Sequence, residues 1–174
     1  MPVTCHDPGM ATDPAALPSV DADTLRAATG AWATGVVVVT AAHSGHDAGL
    51  VMVSLAPVSQ DPPLVLWSVD RRSGSLDVWL GAPGFALHLL AADQEALAWQ
   101  FAKQGAEKFD GLDLRRGVTG ALLLDGAAAV IECAMHAQHD GGDHVILVGR
   151  VVATQLTDRP PLVLHAGRMR GLTD

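Results

Sequence analysis

Between Gly35 and Ala42 the chain reads GVVVVTAA, a run of β-branched residues with the composition of a strand. Similar apolar runs return at Leu50–Ser54, at LVLWSVD (Leu64–Asp70) and at FALHLL (Phe85–Leu90). LVLWSVD is apolar on both faces, which predicts a strand buried on both sides. The Gly- and Asp-containing stretch His43–Gly49 predicts a turn, and Asp61-Pro62-Pro63 predicts another. Residues 121–156 carry two or three further strands, folded back at Asp140-Gly141-Gly142-Asp143. PLVLHAGRMRGL closes the chain. Helical spacing occurs in three places. Asp21 or Asp23 caps a helix with Leu25, Ala28 and Trp32 in register, ending near the ATG before the Gly35 strand. A short helix follows Ser73 or Ser75 and stops at Gly81-Ala82-Pro83-Gly84. ADQEALAWQFAKQ is amphipathic, with Leu97, Phe101 and Gln104 on one side. Residues 105–120, rich in Gly and charge, predict a loop region.

Six or seven strands with two or three short helices, and no regular alternation of strand and helix, predict a mainly β fold. The expected form is an antiparallel barrel with helices at its edge rather than a doubly wound sheet. The sequence has no internal repeat, no GxGxxG after a strand, no P-loop and no GxSxG. Residues 1–20 hold four prolines and read as a flexible arm, leaving 21–174 as one domain.

Composition narrows the function. Of 174 residues, 49% are apolar and only 17% charged, so part of the surface is expected to lie against another subunit. A net charge of −8, with Lys103 and Lys108 the sole lysines, argues against nucleic acid or an anionic membrane as partner. Cys5 and Cys133 are far apart, which fits a reducing compartment rather than a disulfide. With no basic leader and no apolar run of ~18 residues, a cytoplasmic protein is expected. His136, His139 and His144 lack a carboxylate or cysteine at ligand spacing, so no metal site is expected. Cys133 reads as a core residue.

Six stretches taken in order carry a family likeness: WATGVVVVTA (32–41), GLVMVSLAPVSQDPPLVLWSVDRRS (49–73), FALHLLAADQEALAWQFA (85–102), EKFDG (107–111), GDHVILVGRV (142–151) and PLVLHAGRMRGL (161–172). Over about residues 22–172 the chain resembles the short-chain flavin reductases with the FMN-binding split-barrel fold, the reductase components of two-component flavin monooxygenases. The resemblance implies a homodimer that binds FMN or FAD and takes a hydride from NADH or NADPH. The protein's part is then positioning and electrostatics.

The resemblance also implies a site. The segment matching 51–59, with Val51, Met52, Val53, Ser54, Val58 and Ser59, would lie against the flavin, together with Thr34 and His88. Ser68, Asp70, Arg71, Ser73 and Ser75 would lead to the flavin phosphate, where a guanidinium fork and hydroxyls make good ligands. Arg72 is an equal candidate with Arg71. Phe101, Lys103, Lys108 and Phe109 fall in a region placed near the phosphate or the diphosphate of FAD. His144, in GDH, would stand on the nicotinamide side, orienting the carboxamide or supplying a proton. Against these stand plain structural roles: a solvated arginine pair, surface lysines, a hairpin histidine. Val51, Val53, Leu55, His88, Leu164 and Met169 depart from common family residues, which predicts a weakly held, diffusible flavin. They also leave open a non-catalytic barrel that binds flavin, haem or another planar ligand, with His88 or His165 on the iron.

Overall fold

The computed structural model describes residues 17–105 and 107–172. The expected arm falls mostly on residues outside this range, as does Cys5. Asp21 caps the first helix, α1 (Ala22–Gly30), its carboxylate accepting from the Thr24 amide at 2.7 Å. The strands are β1 (Thr34–Gly35), β2 (Val37–His43), β3 (His46–Met52), β4 (Ala56–Gln60), β5 (Pro63–Asp70), β6 (Gly84–Leu89), β7 (Leu114–Arg116), β8 (Leu122–Leu124), β9 (Ala129–Gly141), β10 (His144–Leu156), β11 (Leu162–His165) and β12 (Arg168–Gly171). Two more short helices are α2 (Leu76–Gly81) and α3 (Glu95–Ala102).

Seven strands form one sheet in the order β3-β2-β6-β9-β10-β5-β4, every pair antiparallel. β1, β11 and β12 make a second sheet, and β7 pairs with β8. The mainly β, antiparallel expectation therefore holds. The elements differ in detail. β3 begins at His46, because Ser44 and Gly45, both at positive φ, reverse the chain in two residues. The apolar run after Met52 breaks at Ser54–Leu55 and resumes as β4. The expected 105–120 loop contains a short 3₁₀ turn, Glu107–Phe109, and β7.

The main core packs on one face of the sheet, where Trp67 meets Trp79 and Phe85 edge-on at 5.3 and 5.8 Å between ring centres. The indoles of Trp67 and Trp79 are buried, and neither N–H has an acceptor among the described residues. Buried Cys133 lies in this cluster, and burial pushes its thiol up to about 12, so it is an inert packing residue. A second cluster, around Val36, Val38, Leu90 and Phe101, seats α3 against the other side.

The sheet's buried polar side chains are Thr40, His88 and Glu132, and all three hold the segment 119–124. The Thr40 hydroxyl donates to the Leu122 carbonyl at 2.5 Å. His88 Nδ1 sits 3.0 Å from the Val38 carbonyl, and its Nε2 accepts from the Leu124 amide at 3.1 Å. Glu132 accepts from the amide and hydroxyl of Thr119. Each fills a hydrogen bond that apolar packing would leave unmade.

His88 is neutral in this arrangement, because an amide donates to Nε2. Burial holds its pKa down, from 6.5 to about 4. The unfolded chain therefore takes up a proton between pH 6.5 and 4 that the folded chain refuses. Stability is full above pH 6.5 and falls as pH drops toward 4, by up to about 3 kcal/mol for this one group. Urea midpoints measured across that range should fall in the wild type and fall less steeply in His88→Gln.

Candidate functional site

β3 is an edge strand: among the described residues it pairs with β2 on one side and with no strand on the other. At the far end of the sheet, β4 covers β5 only as far as Leu66, leaving Ser68–Asp70 beyond it. The two ends meet at Ser54, just past β3. Its hydroxyl accepts from the Ser68 amide at 3.1 Å and lies 3.4 Å from the Ser68 carbonyl. A single side chain thus bridges a gap where a full ladder would close the barrel. Within that split lies a cleft of about 830 Å³. Its walls are Gly49–Ser54 on one side and Ser68–Asp70 with Arg72–Ser75 on the other. The backbone edges facing a split are unpaired donors and acceptors, ready for the polar rim of a flat ligand.

The remaining walls come from distant segments. Phe101 and Ala102 end α3 and Lys103–Gly105 follow it, Lys108 comes in the 3₁₀ turn, and His144 opens β10. Buried Trp79 also borders the cleft, and its indole N–H is one of the two without an acceptor. Lys108 binds the parts together. Its Nζ donates to the carbonyls of Gly49 (3.0 Å) and Phe101 (3.1 Å), tying β3 to the end of α3. Partial burial pulls the ammonium's pKa below its usual value. Among the described residues, neither Lys103 nor Lys108 forms an ion pair, so both cations stay available to an anion at this end of the cleft.

At the other end, Asp70 pairs across the sheet with His144. Arg72 grips Asp70 through Nε and a terminal nitrogen at 2.7 Å, and its own amide also donates to that carboxylate. These bonds hold the Asp70 carboxyl far below the usual carboxylate range. His144 Nδ1 lies 2.7 Å from Asp143 Oδ1, which orients the ring and leaves Nε2 as the nitrogen without a partner.

The expected site residues divide in two. Val51, Met52, Val53, Ser54, Ser68, Asp70, Ser73, Ser75, Phe101, Lys103 and His144 all line the cleft. Six others do not. Arg71 turns away: it donates to the Gly142 carbonyl at 2.9 Å and pairs with Asp140, bracing the hairpin that carries His144. Because Asp70 registers with His144, the next residue runs alongside the hairpin, and Arg72 takes the cleft position. Val58 and Ser59 leave with the edge strand, Val58 sitting in a β-bulge between Pro57 and Ser59. His88 is sealed beneath segment 119–124 with both ring nitrogens engaged, so it has no lone pair free for iron. Phe109 stacks edge-on behind Phe101 at 5.3 Å. Thr34 lies in a neighbouring apolar groove.

Gly49, Gly74 and Trp79 were not among the expected residues. Gly49 is legible only in three dimensions: a Cβ there would stand 2.4 Å from the Phe101 ring and 3.0 Å from Phe109.

Residues 29–173 match the model of the Flavin reductase like domain. The chain belongs to this family. It is 41% identical over 143 residues to the FMN reductase (NADH) SmoA of Agrobacterium fabrum, covering 82% of each chain. It is 30% identical over 155 residues to the flavin-dependent monooxygenase reductase subunit HsaB of Rhodococcus jostii, covering 88% of this chain and 80% of that one. Among solved structures, the NADH:FAD oxidoreductase SgcE6 of Streptomyces globisporus C-1027, in complex with NAD and FAD fragments, superposes with a TM-score of 0.83. It shares 35% identity, with 90% of this chain and 98% of that one covered.

Gly49→Ala should force the Phe101 ring from its seat and so deform the cleft wall. Overpacking of this kind costs about 1–3 kcal/mol. Denaturation midpoints should drop accordingly, whereas Gly74→Ala, at a position with open space, should change them by less than about 1 kcal/mol.

Proposed function

We propose that this flavin reductase family member transfers a hydride from NADH or NADPH to FMN or FAD and releases reduced flavin to a partner monooxygenase. The observation that supports it most is the cleft in the barrel's split, with unpaired strand edges, small residues at Gly49, Ser54 and Gly74, and two lysines that form no ion pair among the described residues. Relatives named FMN reductase (NADH) and monooxygenase reductase subunit point the same way.

A flavin fits these residues. Backbone groups of 49–54 and 68–70 would meet the polar edge of its ring, and the Trp79 N–H awaits an acceptor there. The hydroxyls of Ser73 and Ser75 with Lys103 would take the phosphate. The flavin supplies the hydride-accepting ring; the chain's own residues position, exclude water and supply charge. Asp70 and Arg72 neutralise each other, so the cleft keeps its lysine-bearing end positive. His144, oriented by Asp143, offers Nε2 to the carboxamide of the nicotinamide or holds a proton at that atom. Of the two histidines considered for haem iron, His88 is engaged on both nitrogens, whereas His165 lies in the apolar groove outside the cleft.

The active unit is a homodimer. α1 buries none of its residues, although a nine-residue helix is marginal alone. Trp32 beside it is 74% exposed and Leu25 56%. Both border or adjoin an apolar groove of about 1040 Å³ that meets the flavin cleft at Val53 and Ser54. A second copy covering this groove would complete one wall of the site. A cytoplasmic location is part of this proposal. Among the described residues no helix is long and apolar enough to cross a membrane.

Purified protein should oxidise NADH or NADPH when FMN or FAD is added, read as loss of 340 nm absorbance. No rate above the protein-free control with any of the four pairs would refute the reductase. His144→Ala should raise the Michaelis constant for the nicotinamide about two- to tenfold, the worth of one neutral hydrogen bond, with flavin affinity little changed. Light scattering should give a dimer whose interface exceeds about 2,000 Å²; a monomer mass at micromolar concentration would contradict it.

A further inference from the structure

Met52 is the last residue of β3 and lines the cleft in the split. It pairs with Val37, and alternation along the strand sends Val51 and Met52 to opposite sides. Val51 packs against the α3 cluster, whereas Met52 belongs to the main core with Trp67 and Trp79 and is 9% exposed. Its sulfur has a polar neighbour. The Ser54 hydroxyl hydrogen is shared between Met52 Sδ at 3.8 Å and the Ser68 carbonyl at 3.4 Å. The same oxygen accepts from the Ser68 amide across the split. Met52 therefore touches the hydroxyl that bridges the two walls of the cleft. A thioether is a weak acceptor, so in this state it competes little for that hydrogen. The proposed activity brings an oxidant to this place. Dioxygen takes an electron pair and two protons from reduced flavin that no partner consumes, giving hydrogen peroxide and oxidised flavin. Peroxide converts a thioether to its sulfoxide: the sulfur lone pair takes one oxygen, the O–O bond breaks and water leaves. Cys133, also in the main core, is sealed from solvent with its thiol held protonated, so it does not compete for the oxidant.

We propose that Met52 is a peroxide-sensitive modification site, and that its sulfoxide loosens the split and lowers flavin affinity. The proposal rests on the reductase reading for the source of the peroxide. The sulfoxide oxygen is a strong acceptor where the thioether was a weak one. It draws the Ser54 hydroxyl hydrogen away from the Ser68 carbonyl and leaves the split bridged by the Ser68 amide alone. It also turns an apolar stretch of cleft wall polar. Trp79, in the same cluster and on the same cleft, carries a buried N–H with no acceptor among the described residues. A polar oxygen formed in this cluster thus has a further donor inside the fold, and the modified chain stays folded with an altered cleft. Turnover that outruns the partner would then limit itself, and a methionine sulfoxide reductase would reverse the change.

The test adds hydrogen peroxide directly to wild type, Met52→Leu and Met52→Gln, without nicotinamide. Peptide mass spectrometry reads the added oxygen and fluorescence titration reads flavin affinity. In wild type the flavin dissociation constant should rise about fivefold or more in step with Met52 sulfoxide, the equivalent of one lost neutral hydrogen bond. Methionine sulfoxide reductases should return it to its starting value. Met52→Leu, whatever its own starting constant, should not respond to peroxide. Met52→Gln, polar from the outset, should bind flavin as the oxidised wild type does. Met135 and Met169, both half-buried and outside the cleft lining, are internal controls. The same rise in Met52→Leu would assign the effect to them and overturn the proposal. So would a Met52 sulfoxide with unchanged flavin affinity, or a Met52 that stays reduced. In air, with NADH and flavin turning over and no partner present, the same sulfoxide should form and catalase should prevent it. Peroxide that accumulates in that mixture while Met52 stays intact also overturns the proposal. Flavin binding without NADH oxidation would overturn the reductase reading alone, and the peroxide titration would still decide whether Met52 oxidation controls affinity.

Discussion

A sheet that is almost closed but not quite is the constraint on which this molecule depends. Seven antiparallel strands curl until β3 approaches β5, and there the backbone ladder gives way to one hydroxyl, that of Ser54, on the Ser68 backbone. Full pairing would have satisfied every strand edge and left no site. The gap keeps backbone donors and acceptors exposed at the depth of the core, with Trp79 behind them. The cleft is therefore made by topology before any particular side chain contributes.

The rest of the chain props that gap open and furnishes it. α3 and the 3₁₀ turn are pulled onto β3 by Lys108, and Gly49 leaves room for Phe101 beneath. On the opposite side Arg71 ties the β9–β10 hairpin to the end of β5, fixing where His144 emerges. Farther off, Thr40, His88 and Glu132 seat segment 119–124 on the outer face of the sheet. The residues that hold the walls are thus mostly different from those that face the cleft. Lys108 belongs to both sets, which couples the positive end of the site to the packing of α3.

Charge is distributed with the same economy. Asp70 and Arg72 cancel within one short turn, and Asp143 and Asp140 are engaged by His144 and Arg71. Within the cleft this leaves Lys103 and Lys108 as the cations without an ion pair among the described residues. In the proposed reading a phosphate-bearing ligand would be drawn to that end of the cleft, and the nicotinamide would be left to His144. The apolar groove meets the cleft at Val53 and Ser54, so a second subunit seated there would act on the same segment that lines the cleft.

Strands were legible in the sequence because β-branched runs bounded by Gly, Asp and Pro report local preference, and the Asp21 cap and the Gly142 turn are local too. The six ordered stretches carried the family, and with it most of the cleft residues on 51–54 and 68–75, where neighbours in sequence remain neighbours in space. What could not be read there depends on partners far along the chain. Whether Arg71 or Arg72 faces the ligand is decided by the register of Asp70 against His144. His88 has the composition of a ligand, yet Leu124, 36 residues on, seals it. Val58 drops out because a bulge and the pairing with β5 carry β4 away from the split. Gly49 is required by Phe101 and Phe109, whose approach only the folded packing creates. Local propensity and motif order determine which elements form; strand register and side-chain packing across the barrel decide which of their residues reach the site.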